Sequence, residues 1–135
     1  MALSIALLIA SCDSSESIDP IAPLPEPDRI TESFSGSFGQ QGESFHSFET
    51  VELGNTEMVI TALDPLATLT VGLGIGSPND GAETCIRFAS DDSVRIGAVL
   101  LVGGQPAGPY CVVIYDVGNV FADQEVTYTV EVTHP

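Results

Sequence analysis

The chain has 135 residues, which suits one domain with short extensions, and its 19 acidic residues outnumber the 3 basic ones to give a net charge of −16. All three basic residues are Arg. The sequence therefore disfavours nucleic-acid binding, which needs cations to neutralise phosphates, and a polybasic membrane-binding patch. Hydrophobic residues make up 44% of the chain, together with 13 Gly and 9 Pro. This composition argues against disorder for most of the chain and favours strands and turns.

The N-terminus carries an apolar run over residues 2–10. The run is shorter than the about 20 residues of a membrane-spanning helix but suits the apolar region of a signal peptide. The residues IASC at 9–12 resemble the bacterial lipobox. This resemblance implies a signal peptide over 1–11, cleavage before Cys12 and lipidation of Cys12. We therefore expect a protein attached by lipid to a bacterial cell-envelope membrane, outside the cytoplasm. The alternatives are an ordinary signal peptide or a chance cysteine.

Residues 12–31 are predicted to form a tether between this anchor and a folded body. The segment DSSESIDPIAPLPEPDRIT, residues 13–31, is dominated by Ser, Pro and acidic residues. Proline at this density prevents helix formation and strand pairing, so we expect an extended chain. A proline-rich recognition ligand is the alternative.

Residues 32–135 show short strand-like runs separated by turn residues, which predicts an all-β domain. The predicted strands are Ser33–Phe38, Ser44–Leu53, Glu57–Leu63, Thr68–Gly76, Glu83–Phe88, Val94–Val102, Pro109–Asp116 and Glu125–Thr133. Apolar residues alternate most clearly at 69–75, 94–100 and 128–132. A period of two with one apolar face predicts a β-sandwich of jelly-roll type with about eight antiparallel strands. Asp91-Asp92 is predicted to be a turn between two of these strands.

Four segments of this body carry a resemblance: GESFHSFETVELGNTEMVITALDP, LTVGLGIG, AGPYCVVIYDVGN and VTYTVEVTHP. Together they resemble the bacterial pre-peptidase C-terminal (PPC) domain family, whose pattern has a Phe-bearing strand, a v-i-t-L strand, a G-x-Y-x-V-x-V-x-D strand and a closing Y-T-V-x-V strand. The resemblance covers nearly all of residues 34–135. It implies a jelly-roll β-sandwich that accompanies secreted proteases and other exported proteins and has no catalytic activity of its own.

Two cysteines, Cys85 and Cys111, remain once Cys12 is assigned to the lipid. Outside the cytoplasm the compartment is oxidising, so the pair predicts a disulfide. The bridge would close a loop of about 26 residues and contribute roughly 2–4 kcal/mol. Two buried thiols or a metal-binding pair are the alternatives. Zinc would need further ligands, and His46 and His134 are the only histidines.

Motifs for catalysis and nucleotide binding are absent from the sequence. No G-x-S-x-G elbow occurs, and Asp91-Asp92 does not place a second acid across a cleft, as glycoside hydrolysis requires. The glycines Gly72, Gly74 and Gly76 have the wrong spacing for a dinucleotide fingerprint. They are expected on the outer face of a strand, where they mark close backbone approach or a flat ligand-facing surface.

Calcium is the best-defined ligand hypothesis, because oxygen ligands suit Ca²⁺ and acidic residues lie in predicted loops. The candidate ligands are Asp80, Asp91, Asp92 and Asp116. Asp and Asn also dominate plain turns, and no D-x-D-x-D loop is present. No other cofactor is expected.

The sequence therefore predicts a non-catalytic, lipid-anchored cell-envelope protein with one β-sandwich that serves as an interaction or structural module. Its partner would be an extracytoplasmic protein or a glycan. The alternative is a carbohydrate- or peptide-binding module, with or without calcium. Two or more of Tyr110, Tyr115 and Tyr128 exposed on one concave face would favour a glycan. A small hydrolase would instead need His46 joined to a Ser and an Asp in a cleft.

Overall fold

The computed structural model describes residues 20–79 and 83–135 and contains eight β-strands. The strands are β1 (Ile30–Gly39), β2 (Glu43–Thr50), β3 (Gly54–Asp64), β4 (Val71–Asn79), β5 (Thr84–Val94), β6 (Val99–Gln105), β7 (Gly108–Tyr115) and β8 (Glu125–His134). Within the described ranges there is no helix that is long and apolar enough to cross a membrane. Cys12 and Asp80 lie outside the described residues.

The strands form two four-stranded antiparallel sheets. Sheet A has the order β1-β8-β3-β6 and sheet B the order β2-β7-β4-β5. This is the strand order of a jelly roll, in which the chain crosses between the two sheets at most of its turns. The predicted all-β jelly-roll sandwich is therefore confirmed.

The core between the sheets is built from the apolar face of each strand. In β4 the side chains of Val71, Leu73 and Ile75 are fully buried, and in β8 those of Val130 and Val132 are too. Burying a side chain of this size stabilises the fold by about 1.5–3 kcal/mol. The predicted alternation of these two strands is thus confirmed, with the glycines of β4 and the Thr and Glu residues of β8 on the faces turned away from the core.

The prediction for residues 94–102 is wrong, because one predicted strand is the end of β5 followed by the start of β6. The chain turns at Gly97, which has φ +84°, and the Gly97 N–H donates to the Ile60 carbonyl at 3.0 Å. A positive φ of this kind favours glycine. This turn moves the chain from sheet B to sheet A, so Val94 and Leu100 belong to different sheets.

The prediction of a turn at Asp91-Asp92 is also wrong, because both residues lie within β5. Within the strand both side chains accept hydrogen bonds. Asp91 Oδ1 accepts the Ser93 N–H at 2.8 Å and the Ser93 hydroxyl at 2.9 Å, while Asp92 accepts the Tyr115 hydroxyl. The Ser93 donors hold the pKa of Asp91 below its ordinary value. A register shift in the pairing of β4 with β5 accommodates this stretch.

The predicted disulfide is present between Cys85 on β5 and Cys111 on β7, with Cα atoms 6.0 Å apart. These two strands flank β4 in sheet B, so the bridge spans it. Gly76 of β4 pairs with Cys111, and a Cβ added at Gly76 would overlap the Ile86 carbonyl. The close backbone approach expected for the β4 glycines is therefore found here.

The antiparallel strands place the connections at two ends of the sandwich. The proximal end holds the start of β1, the end of β4, the start of β5, the end of β8 and the β2–β3 and β6–β7 connections. The opposite end holds four loops, which we call the distal loop surface: residues 40–42, 65–70, 95–98 and 116–124. The chain therefore enters the folded body at the end away from the distal loop surface.

Candidate interaction surface

The β7–β8 loop is held by the Asp116 carboxylate. Its Oδ1 accepts the backbone N–H groups of Gly118 and Asn119 at 2.9 Å and of Val120 at 3.1 Å. Its Oδ2 accepts the Gln41 N–H at 3.0 Å. Partial burial opposes ionisation of Asp116, but these four donors outweigh it and lower its pKa. The carboxylate thus fixes the loop in one conformation.

Two consecutive apolar residues of this loop point in opposite directions. Val120 is buried in the core, with 3% of its surface exposed, whereas Phe121 is 72% exposed. Beyond Phe121 the loop closes with two further hydrogen bonds, from the Phe121 N–H to Gln124 Oε1 and from the Gln124 N–H to the Phe121 carbonyl. Phe121 is therefore an aromatic side chain presented to solvent on a loop that is fixed on both sides.

The β3–β4 loop repeats this arrangement. Leu69 is buried in the core and its N–H donates to the Leu66 carbonyl at 3.1 Å, while Leu66 is 45% exposed. The β5–β6 turn is similar, since the Ala98 N–H donates to the Arg95 carbonyl at 3.1 Å and Ile96 remains exposed. Three loops of the distal loop surface thus each present one large apolar side chain.

Hydrogen bonds also join these loops to one another. The Asn119 side-chain amide donates to the Thr70 carbonyl at 2.9 Å, and Arg95 Nε donates to Thr70 Oγ1 at 3.1 Å. On the other side, the Asp116 N–H donates to the Gly42 carbonyl at 3.0 Å. All four loops therefore belong to one hydrogen-bonded network, which presents Phe121, Leu66 and Ile96 without the need to order the loops on binding.

The proximal end also exposes apolar side chains, but it is organised around the chain entry. Arg29 NH2 donates to the Thr133 carbonyl at 3.2 Å and to the Asn55 carbonyl at 3.4 Å, and Arg29 NH1 lies 3.5 Å from Glu57. A cavity of 160 Å³ lies beside it and is lined by Glu26, Pro27, Arg29, Leu53, Gly54, Asn55 and Pro135. The segment before β1 thus occupies part of this end.

The calcium candidates are engaged in other contacts. Asp116 uses both oxygens on backbone donors, Asp91 bonds Ser93, and Asp92 bonds Tyr115. The described residues contain no group of three His, Cys, Asp or Glu side chains that could hold a metal ion. The structure does not bring Asp91, Asp92 and Asp116 together as a ligand set.

The histidine and serine needed for a hydrolase lie in a different arrangement. His46 Nε2 is 2.7 Å from the Tyr128 hydroxyl, which donates to Ser44 Oγ at 2.6 Å. Burial lowers the pKa of His46 and raises that of Tyr128. In a nucleophile–base pair the serine would donate its proton, but here Ser44 accepts. Together with the ring of Phe34, which stacks on His46 at 5.0 Å, this chain of side chains joins β1, β2 and β8.

All three tyrosines are buried, with 7% of Tyr110, 8% of Tyr115 and 3% of Tyr128 exposed. Tyr115 lies over Gly72, where an added Cβ would overlap its ring, and Arg87 covers its outer side at 3.9 Å from the ring centroid. The tyrosines therefore offer no exposed stacking platform for a glycan. The glycine face of β4 is covered by protein at this point.

The chain is similar in fold to a protein of known structure. No family model matches the chain, and no curated protein matches it. Among solved structures, the chain is similar to the crystal structure of Aeromonas hydrophila PliG, a periplasmic lysozyme inhibitor of g-type lysozyme, with a TM-score of 0.53 and 10% sequence identity. The match covers 76% of this chain and 83% of PliG. At this identity the similarity shows that the two share a fold.

The residues of the distal loop surface were not predicted from the sequence, apart from Asp116 as a metal candidate. One signal was available: Val120-Phe121 is an apolar pair in a predicted loop, between two well-defined strands. If these two residues belonged to a core strand, one of the two side chains would be buried, whereas a solvated loop would normally contain neither of them. The pair could therefore have marked Phe121 as a candidate interaction residue.

Proposed function

We propose that this protein is a non-catalytic, lipid-anchored module of the bacterial cell envelope that binds another protein through its distal loop surface. The observation that carries the proposal is the set of exposed apolar side chains on hydrogen-bonded loops. Phe121 is 72% exposed, and it stands on a loop fixed by Asp116. Large aromatic side chains held in one conformation are typical centres of protein–protein contacts.

The proposed anchor and tether would set the orientation of the domain relative to the membrane. With lipid on Cys12 and the segment from Glu26 onward lying against the proximal end, the intervening chain could span up to roughly 50 Å when extended. The proximal end, where the chain enters, would face the membrane, and the distal loop surface would face away from it. We also propose that the folded body is related to the PPC domain family, and the jelly-roll strand order is compatible with this relationship.

The similarity to PliG supports the choice of partner class. PliG shares the fold and is described as a periplasmic inhibitor of a lysozyme, which makes it an example of this architecture that acts by binding a protein. The net charge of −16 favours a basic partner. We therefore propose a basic extracytoplasmic protein as the partner of the distal loop surface.

The experiment is site-specific photo-crosslinking in intact cells that express the full chain. A photoreactive residue at Phe121 should give a discrete adduct with another protein, whereas the same residue at Thr127, which is exposed on the outer face of β8, should not. Adducts of equal yield at both positions, or none at Phe121, would contradict the proposal. A Cys12→Ala variant, probed for acyl labelling, tests the anchor separately.

A further inference from the structure

Each sheet of the sandwich has two edge strands, and three of the four edges carry charged side chains. The edges are β1 and β6 in sheet A and β2 and β5 in sheet B. The charged residues are Glu32 on β1, Glu43 and Glu49 on β2, and Arg87, Asp91 and Asp92 on β5. Charges on an edge strand protect it from pairing with another chain. β6, with the sequence VLLVGGQ, has none.

The side chains of β6 are apolar on both faces. Val99 and Leu101 point away from the core and are 60% and 56% exposed. Leu100 and Val102 pack against the core but are only partly buried. Among the described strands β6 pairs with β3 alone, and no charged residue occurs between Arg95 and Asp116. β6 therefore offers unpaired backbone groups between two rows of apolar side chains.

We propose that the β6 edge binds an extended, basic segment of another protein by strand addition. In this mode the added strand forms backbone hydrogen bonds with the edge, and alternate side chains contact Val99 and Leu101 on one face and Leu100 and Val102 on the other. Sheet A would become a five-stranded sheet. The surface is separate from Phe121 and goes beyond the function proposed above.

The net charge of the chain indicates whether the β6 edge binds a segment of another protein or a second copy of this chain. A second copy would bring a net charge of −16 against −16, whereas a segment flanked by Lys or Arg would be attracted. The outer face next to β6 carries Glu131, which pairs with Val59, and Glu57, which pairs with Leu101 and lies 3.5 Å from Arg29. The occupant that fits is therefore apolar at its centre and basic at its ends.

The test uses the purified full chain and the synthetic peptide KKVTVTVKK, with binding measured by calorimetry. The peptide should bind, and two versions that are N-methylated at alternate amides should differ, because only one side of an added strand faces β6. Leu101→Glu should lower the affinity by at least about tenfold, since a charge on the edge opposes pairing. Thr127→Glu, on the exposed face of β8, and Phe121→Ser should leave the affinity unchanged.

Several outcomes would overturn the proposal. Equal binding of both N-methylated peptides, or a tighter complex with Leu101→Glu, would show electrostatic adsorption to an acidic protein. A dimer of the native chain that Leu101→Glu dissociates, without peptide binding, would assign the edge to a second copy. Absence of binding by the unmodified peptide would also contradict it. The crosslinking result at Phe121 is independent of all these measurements.

Discussion

The two ends of the sandwich both expose apolar side chains, yet they are held together in different ways. At the proximal end the last residues of β8 are packed into the fold: His134 is fully buried, its Nε2 lies 2.8 Å from Glu32 Oε1, and its ring is 5.0 Å from that of Phe48. At the distal end the chain is held by loop-to-loop hydrogen bonds, while Phe121 remains in solvent.

Because of this difference, an exposed apolar side chain is not always accessible to a partner protein. Val51 and Leu53 at the proximal end are 77% and 66% exposed, but Leu53 lines the cavity that the segment before β1 also lines. The distal loop surface lies at the end opposite to the chain entry, and its loops are ordered before any partner arrives. The comparison predicts that changes at the proximal side of the fold alter stability, whereas changes at Phe121 alter binding.

The largest effect on stability is expected from loss of the disulfide. The variant Cys85→Ala/Cys111→Ala should lower the free energy of unfolding by about 3 kcal/mol, since the bridge constrains the unfolded chain. Chemical denaturation of the variant and the native protein measures the difference. Crosslinking through Phe121 should persist at temperatures where the variant is folded. A loss of crosslinking in the folded variant would show that the two regions are coupled.

The next effect is expected at Asp116. Asp116→Ala removes the acceptor of four backbone N–H groups and should cost about 2 kcal/mol of unfolding free energy. Unlike loss of the disulfide, it should also reduce crosslinking at Phe121, because the loop is no longer fixed. Asp123→Asn, at an exposed residue of the same loop with φ +62°, is the matched control and should change neither quantity, because Asn also tolerates this conformation.

The contribution of Asp116 should depend on pH. Its folded-state pKa lies below the ordinary value of 3.8, so the stabilisation is complete above the pKa of the unfolded chain and is lost as the pH falls through the lower folded pKa. The difference in unfolding free energy between the native protein and Asp116→Asn should therefore be constant near neutral pH and shrink below pH 3.8. A difference that is independent of pH down to pH 2 would contradict this.

A smaller effect is expected from the arginines at the two ends. Arg29→Met should cost about 1 kcal/mol, since Arg29 NH2 donates to two backbone carbonyls at the proximal end. Arg95→Met, which removes one side-chain hydrogen bond to Thr70, should cost about half as much. If the two substitutions lowered the free energy of unfolding equally, the expected difference in stability between the two ends would be contradicted. Thermal unfolding at several salt concentrations compares them.

The smallest effect on stability is expected at Phe121. Because this side chain is mostly in solvent, Phe121→Ser should change the free energy of unfolding by less than about 0.5 kcal/mol. The same substitution should abolish capture of the partner by a crosslinker placed at Leu66. A large loss of stability would mean that Phe121 packs into the fold instead of presenting itself to a partner.

The sequence was sufficient for the fold wherever one strand face is apolar. β4 and β8 could be predicted because burial of one face requires a period of two. The same rule failed at residues 94–100, where Ile96 and Ala98 continue the alternation through a turn. That turn includes a hydrogen bond from the Gly97 N–H to the carbonyl of Ile60 on β3, a contact between distant positions that a local pattern does not contain.

The candidate site was less predictable than the fold, because its contacts join residues that are far apart in the chain. Asn119 and Thr70 are separated by 49 positions, Gln41 and Asp116 by 75. The sequence marks Asp116 as a calcium candidate but does not assign it, since a carboxylate in a loop fits a metal or a backbone cap equally well. The positions of the four backbone N–H donors, which the structure supplies, distinguish a backbone cap from a metal ligand.

Thr70 has a consequence for the motion of the distal loop surface. Its carbonyl is bonded to the β7–β8 loop and its hydroxyl to the β5–β6 turn, so neither of these can open without breaking a contact to the β3–β4 loop. We expect the amides of Leu69, Ala98 and Asn119 to exchange with deuterium as one cooperative unit. In Thr70→Val the hydroxyl is absent, and Ala98 should then exchange independently of Asn119.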